Sequence, residues 1–219
     1  GRLEAPENSE FLRNPVYRLA NKKNIDGLIS WASSMGGAVS LTDLVEFHKK
    51  LEPLPFVTIA QKIEGHSCVN FNAYEGMADL VRHFLLVHHI TNIAFIRGPE
   101  NHVSANDRYR AYCDTMKEAG ISVESSPLVS DPFEWRNGLD AIKQLYEDRH
   151  LVPGKDFGAL IASSDIMAFD AMEYLQKQGF TVPDDYFAGG FNDVSKSRML
   201  LSALTKVHMP YKSMGLDSY

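Results

Sequence analysis

Short apolar runs alternate with longer amphipathic stretches along most of this chain. The runs predict strands at Gly27–Ser30, Phe56–Ile59, Ile93–Ile96, Ala159–Ala162 and Phe187–Gly190. The stretches predict helices at Leu41–Leu51, Glu75–His88, Asn106–Ala119, Pro132–Asp148 and Ile166–Gln178. Because the strand runs are continuously apolar, they indicate strands that are buried on both faces. Strands of this kind alternating with helices predict an α/β fold with a parallel, doubly wound sheet.

Two of the predicted helices end at glycines. Gly120 follows the helix that starts at Asn106, and Gly179 follows the one that starts at Ile166, with Pro183 soon after it. Glycine readily takes the left-handed conformation that closes a helix, and proline cannot continue one. Both glycines are therefore predicted helix ends.

Polar side chains follow the predicted strands at the points where a ligand is expected. In a doubly wound sheet, ligands bind beyond the carboxyl ends of the strands. The segments there are Ala60–Gln61, Arg97–Asp107, Ser163–Asp165 and Phe191–Asp193, and Arg108 lies at the start of the helix after the second of them. Their amides, hydroxyls and carboxylates, with one aromatic ring, suit a neutral ligand that is rich in hydroxyl groups.

Composition restricts the classes of protein that fit. The length of 219 residues suits two small lobes or one large domain, and 44% hydrophobic and 23% charged residues are ordinary for a globular protein. A net charge of −6 argues against wrapping nucleic acid. We find no apolar run long enough to span a membrane and no signal-peptide core in the first residues. Cys68 and Cys113 lack CxxC spacing, so a cytoplasmic location without a membrane partner is expected.

Motifs for catalysis, metal binding and cofactor binding are not found in the sequence. The eight histidines do not form HExxH or another ligand spacing. Neither a P-loop, nor GxGxxG, nor a Gly-x-Ser-x-Gly elbow occurs. We therefore expect a binding protein without a metal or cofactor. The enzyme alternative would use His102 or Asp165 as an acid or base, and turnover of a bound sugar or nucleoside would support it.

Three motifs in order resemble the effector-binding core of the LacI/GalR family. They are GPENHVSANDRYRAYCDTMKEAG at 98–120, ASSDIMAFDAMEYLQKQGFTVPDDYFAGGFND at 162–193 and ALTKVHMPYKSMG at 203–215. The resemblance covers about residues 54–215. The first motif is more similar still to a subgroup in which the core is fused to signalling output domains.

The resemblance implies a periplasmic-binding-protein-like clamp of two lobes, each a parallel sheet flanked by helices. Residues 1–71 with 211–219 would form the N-terminal lobe, and residues 72–210 the C-terminal lobe. The N-terminal lobe would be incomplete, since the family has a further strand and helix before residue 1 and another such unit after residue 219. Each lobe would contribute ligand contacts, and ligand binding would favour a closed arrangement.

The same resemblance implies a sensor of a small polar ligand, sugar-like or nucleoside-like, in a LacI-type transcriptional regulator or a related signalling protein. A homodimer is expected, with DNA bound only through a domain that is absent from this chain. The alternative function is a periplasmic sugar-binding protein of a transport system. A basic helix-turn-helix or a signal peptide upstream would distinguish the two.

Arg108 falls on the ligand-binding arginine of the family, and Arg110, two residues on, is the surface alternative. Asn192 takes the place of a ligand-binding aspartate, which removes a negative charge from the expected site. Ser164 and Asp165 correspond to an Asn-Asp pair of which the first touches ligand. Asp165 could instead serve as the N-cap of its helix.

The remaining candidate ligand contacts come from loops and crossovers. Ser104 matches a polar contact in the loop before the arginine helix, and Trp135 matches an aromatic over the ligand ring, with Phe133 as the competitor by register. The other candidates, each given a lesser role, are Phe71 and Tyr211 at the crossovers, His102 in the loop before Arg108, and Gln61 and Arg2 from the N-terminal lobe.

Overall fold

Two parallel sheets, of three and five strands, organise the chain. The computed structural model describes residues 19–35, 41–100, 102–124, 128–129, 138–193 and 204–218. The chain divides into two units, which we describe separately. One comprises residues 1–71, 101–103 and 210–219, and the other comprises residues 72–100 and 104–209.

The first unit holds the three-stranded sheet, in the order β1-β2-β3. Its strands are β1 (Leu28–Ser30), β2 (Phe56–Ile59) and β3 (Ser67–Val69), and its helices are α1 (Ala32–Met35), α2 (Leu41–Lys49) and α7 (Tyr211–Asp217). Pairing is parallel throughout, with Ile29 opposite Val57 and Thr58 opposite Cys68.

The second unit holds the five-stranded sheet, in the order β5-β4-β6-β7-β8. Its strands are β4 (Ile93–Ile96), β5 (Leu128–Val129), β6 (Ala159–Ala162), β7 (Phe187–Phe191) and β8 (Leu204–Val207). Its helices are α3 (Ala73–Leu86), α4 (Val103–Glu118), α5 (Gly138–Lys143), which runs into a π-helical turn at Gln144–Asp148, and α6 (Asp165–Lys177). All four strand pairs are parallel.

The predicted α/β class with parallel sheets flanked by helices is confirmed. Each of the five predicted strands is present, and β4 and β6 are buried at every residue, as their uninterrupted apolar runs indicated. Gly120 and Gly179 have φ of +75° and +97°, so both take the left-handed conformation predicted for a helix end. Three strands were missed, namely β3, β5 and β8.

Several helix boundaries were predicted wrongly, among them the start of α4 and the end of α3. Helix α4 begins at Val103 rather than Asn106, so the loop before it is shorter than the polar residues suggested. Helix α3 ends at Leu86 rather than His88, because the chain turns back at His89, where φ is +56°. The residues before Gly138 in the predicted helix from Pro132 lie outside the described ranges.

Tyr112 links α4 to the centre of the five-stranded sheet. Its ring stacks on Phe95 at 4.6 Å, and its hydroxyl donates to the main-chain oxygen of Ile93 at 2.8 Å. Both rings are fully buried. This packing fixes the rotation of α4 about its axis and determines which of its residues face the sheet.

No helix in the part of the chain that the structure describes is long and apolar enough to cross a membrane.

His48 is a fully buried histidine in the first unit. One ring nitrogen, Nδ1, lies 2.8 Å from the main-chain oxygen of Leu44, and Nε2 lies 2.8 Å from the hydroxyl of Ser30. Since a carbonyl oxygen only accepts, Nδ1 carries the proton and Nε2 accepts from Ser30. Burial lowers the pKa of His48. The hydrogen bond to Leu44 opposes this by raising the pKa, and the nearby His66 lowers it further.

We predict that acid destabilises the chain through His48. The pKa of His48 in the folded chain lies below the usual 6.5. At pH values between the folded-state pKa and 6.5, the unfolded chain therefore binds a proton that the folded chain does not. The free energy of unfolding should therefore fall as pH decreases below 6.5, by up to about 1.4 kcal/mol per pH unit for this one group. Urea titrations at several pH values measure the slope. The His48→Gln variant should show a shallower slope, and identical slopes would contradict the prediction.

Candidate functional site

The order of the five-stranded sheet places a crossover beside Arg108. From β4 the chain passes to β5 on one side, and then to β6 on the other side of β4. In open α/β sheets, ligands bind at the carboxyl edge where the strand order reverses in this way. Helix α4 follows β4 and carries Arg108, while Ser163 directly follows β6. The topology of the sheet therefore selects this edge.

Arg108 is held rigidly at that edge. It lies on the buried face of α4 and is only 3% exposed. Its Nη1 donates to the main-chain oxygen of Ser163 at 2.6 Å, and its Nη2 donates to Oδ1 of Asn192 at 3.2 Å. The guanidinium also stacks over the ring of Phe191 at 3.8 Å. These contacts join the ends of β6 and β7 and leave the guanidinium in one orientation.

Arg110 has the surface environment expected of it. Its side chain is 64% exposed and pairs with Asp107 at 3.0 Å, one turn of the helix earlier. Its guanidinium also lies 5.3 Å from the ring of Tyr74. The two arginines thus separate into a buried residue at the sheet edge and a solvated residue on the outer face of α4.

Asn192 and Asp193 form a left-handed turn at the end of β7. Their φ values are +108° and +52°, and asparagine and aspartate tolerate this region better than most residues. The main-chain amide of Asn192 donates to the main-chain oxygen of Val207 at 3.3 Å. With its Oδ1 directed at Arg108, the side chain presents Nδ2 as the atom that can donate to a ligand oxygen.

Asp193 is directed at basic residues of its own unit. Its two carboxylate oxygens lie 2.6 Å from Nζ of Lys206 and 2.7 Å from Nδ1 of His208. Its side chain is 8% exposed, so these contacts offset a largely buried charge. Asp193 therefore shapes the turn that carries Asn192.

The serines after β6 have structural partners. Ser163 is fully buried, and its Oγ accepts from the amide of Gly98 at 3.0 Å, joining the ends of β4 and β6. Sequence reasoning did not single out Ser163, although its position immediately after a buried strand was a signal. Ser164 is the N-cap of α6, since its Oγ accepts from the amide of Met167 at 3.3 Å.

The N-cap role considered for Asp165 is wrong. Asp165 is the first residue of α6 and is fully buried. Its carboxylate lies against β7, since a Cβ added to Gly190 would be 2.5 Å from its Oδ1. Glycine at that position is therefore what allows the carboxylate to pack over the strand.

We predict that Ser164→Ala lowers the free energy of unfolding by about 1 kcal/mol, because the first turn of α6 loses its cap. Ser164→Asp keeps a side-chain oxygen that can accept the same bond, so it should recover most of that stability. Thermal or urea denaturation measures both variants. Equal losses in both variants would contradict the capping role.

Other candidate residues are placed as follows. Ser104 is buried within the first turn of α4, so its predicted loop position is wrong. His102 precedes α4 and is half-buried. Trp135, Phe133 and Arg2 lie outside the described residues.

Three further candidates, besides His102, belong to the first unit. Nε2 of Gln61 donates to the main-chain oxygen of Lys62 at 3.2 Å. The amide of Phe71 donates to Asn70 at 2.9 Å. Tyr211 begins α7, is 39% exposed, and lies 5.7 Å from the ring of Trp31. Ligand contact by these three residues stays a prediction.

The edge at Arg108 is rich in hydrogen-bond donors. The guanidinium and Nδ2 of Asn192 both donate. The ring of Phe191 is fully buried beneath the guanidinium, so it packs inside the protein instead of facing a ligand. Within the described ranges, no group of three or more His, Cys, Asp or Glu side chains could hold a metal ion. The arrangement suits a ligand that presents oxygen acceptors.

Comparison with known proteins gives the family. The model of the periplasmic binding protein-like domain matches residues 81–217. The HTH-type transcriptional regulator DegA of Bacillus subtilis is 25% identical over 203 residues, which cover 93% of this chain and 58% of the relative. The chain thus spans a little over half the length of that curated relative.

Solved structures share the fold. A LacI family transcriptional regulator from Mycobacterium smegmatis superposes with a TM-score of 0.75 at 24% identity, covering 98% of this chain and 74% of that one. A LacI family regulator from Enterococcus faecium with bound ribose superposes with a TM-score of 0.73 at 22% identity, covering 92% and 71%. The chain belongs to the periplasmic binding protein-like domain family, and the predicted LacI/GalR-type effector-binding core is confirmed.

Proposed function

We propose that this chain is the effector-binding part of a LacI-type transcriptional regulator and that its effector binds at the edge of the five-stranded sheet beside Arg108. The observation that carries the proposal is the orientation of Arg108, which is 3% exposed and held between Ser163 and Asn192. A fixed guanidinium loses little conformational freedom when a ligand binds, so its hydrogen bonds contribute more of their energy to affinity.

The ligand class follows from the chemistry of that edge. Arg108 and the Nδ2 of Asn192 donate to oxygen atoms. A sugar or a nucleoside carries several oxygen acceptors of this kind. The ribose bound by the structural neighbour from Enterococcus faecium supports the sugar class.

Regulation would require that the effector bind two conformations of the protein with different affinity. A ligand shifts such an equilibrium only by that difference in binding free energy. Dimerisation, DNA binding through a domain outside this sequence, and a cytoplasmic location are parts of the same proposal. Relatives such as DegA are regulators of transcription rather than transport proteins, which favours regulation over transport.

Binding without turnover is the expected activity. Asp165, considered as an acid or base, is fully buried against β7, which fits a packing role better than proton transfer to a ligand. Incubation with a ligand that binds should therefore return that ligand unchanged. Release of a product would support the enzyme alternative.

A thermal-shift screen tests the proposed function. The probes are D-ribose, D-glucose, cellobiose, adenine, hypoxanthine, adenosine and inosine, each added to the intact chain. A specific ligand raises the melting temperature in proportion to the logarithm of its concentration above Kd, because it binds only the folded state. Saturable stabilisation by one class supports the proposal, and the absence of stabilisation by any sugar, nucleobase or nucleoside would contradict it.

A further inference from the structure

Two histidines, His83 and His88, face each other at the end of the sheet opposite Arg108. Near the start of α3, a Cβ on Gly76 would lie within 3.3 Å of the ring of Phe191, the last residue of β7. At the other end of the helix, the ring of His88 packs at 4.3 Å on Phe187, the first residue of β7. Since each strand residue advances about 3.3 Å, the histidine pair lies roughly 13 Å from the Arg108 edge.

The backbone after α3 brings the two histidines together. The amide of Val87 donates to the main-chain oxygen of His83 at 2.9 Å, and the amide of Ile90 donates to that of Phe84 at 3.0 Å. Between them His89 takes the left-handed conformation, with φ of +56°. The bond from Ile90 to Phe84 closes a loop of seven residues around the left-handed His89, and this loop folds His88 back over the last turn of α3.

Apolar packing fixes both rings. The ring centroids of His83 and His88 are 4.8 Å apart, and the ring planes are nearly perpendicular at 80°. Both rings also contact Phe84, at 5.7 Å and 5.8 Å between centroids. Their Nε2 atoms converge to 3.1 Å. The pair is therefore held with its nitrogens together before any ligand arrives.

The distance of 3.1 Å between the two Nε2 atoms is the one expected for two imidazole nitrogens bound to a single metal ion. Zinc–nitrogen bonds are about 2.0–2.1 Å, so two ligands at angles between 90° and the tetrahedral value have nitrogens about 2.9–3.4 Å apart. Without a metal, one Nε2 must carry a proton and donate to the other. A metal ion would replace that proton and bind both rings in their neutral form.

We propose that His83 and His88 form a chelating site for a divalent transition-metal ion of the zinc, nickel and copper class. Imidazole nitrogen is a favoured ligand of these ions, with copper bound most tightly and zinc less so. Within the described part of the chain no third His, Cys, Asp or Glu joins the pair, so water completes the coordination. The two side chains are only part-buried, so an ion can reach them from solvent.

Calorimetric titration of the untagged chain with zinc chloride tests the site. One saturable zinc per chain is expected. Because changes to groups that merely support a ligand cost about 10- to 100-fold in affinity, losing a ligand in His83→Gln or His88→Gln should weaken binding at least tenfold. The matched control is His89→Asn, which removes the adjacent histidine and keeps a residue that tolerates the left-handed conformation.

The proposed site would be overturned if zinc binding were not saturable. It would also be overturned if the control lost as much zinc affinity as the two variants. Copper(II) titration followed by electron paramagnetic resonance gives a second measurement that does not depend on affinity. Hyperfine splitting from two nitrogens, reduced to one in either variant, is expected. Splitting that both variants leave unchanged would contradict the assignment. Neither histidine contacts Arg108, so the outcome is independent of the proposed effector.

Discussion

Replacing Arg108 with alanine is expected to weaken effector binding by about 100-fold, because two charge-assisted hydrogen bonds of about 1.5 kcal/mol each would be lost. The substitution should also lower the stability of the fold. Ser163 and Asn192 would lose the donor that bridges the ends of β6 and β7, and Phe191 would lose its stacking partner. Calorimetric titration with the ligand found by thermal shift measures the change in Kd, at a temperature where circular dichroism shows the variant folded.

Two further variants separate binding from folding. Arg110→Ala removes an exposed arginine two residues away and should leave the Kd unchanged, since its partners are on the outer face of α4. Arg108→Lys keeps the charge and the methylene chain but lacks the planar fork, so intermediate affinity is expected. A Kd in Arg108→Ala that equals the wild-type value would remove Arg108 from the site.

Replacing Gly138 with alanine is expected to lower the free energy of unfolding by about 3 kcal/mol or more, the upper range of overpacking in a core. A Cβ at this first residue of α5 would lie 2.3 Å from the main-chain oxygen of Met167 and 2.7 Å from its Cα. Both atoms belong to the backbone of α6, so no side chain can rotate away. The two helices would have to separate, which disturbs the core formed by Ala141, Ile142 and Ala171.

Gly215→Ala is the matched control for this prediction. Gly215 lies in α7, and a Cβ there would meet nothing within 4 Å. Alanine is a better helix former than glycine, so this variant should be neutral or stabilised by about 0.5–1 kcal/mol. Urea denaturation measures both free energies. A loss of stability in Gly138→Ala no greater than in Gly215→Ala would contradict the close approach of α5 and α6.

Strands that are buried along their whole length could be predicted from the sequence. The runs IAFI and ALIA are buried at every residue, so their apolar character alone identified β4 and β6. Strand β8 reads LTKV and is only half-buried throughout, because it lies at the end of the sheet order. A strand with one neighbour can keep polar side chains, and no apolar run then marks it.

The position of the proposed site follows from the sequence, whereas the contacts around Arg108 do not. The rule for doubly wound sheets selects the strand ends, and the family resemblance selects Arg108 among the arginines there. That the guanidinium bonds to the backbone of Ser163 could not be predicted, since a main-chain acceptor has no signature in a sequence. The exchange of capping roles between Ser164 and Asp165 depends on a shift of one residue, which hydrophobic patterns do not resolve.

A crystal structure of the chain with the ligand found by thermal shift tests the central claim most directly. A ligand oxygen is expected within about 3 Å of the Arg108 guanidinium and the Nδ2 of Asn192, at the carboxyl ends of β4, β6 and β7. Such a complex would establish the edge selected by the sheet topology as the effector site. Ligand density at any other place, with the hydrogen bonds of Arg108 to Ser163 and Asn192 unchanged, would contradict this assignment of the effector site.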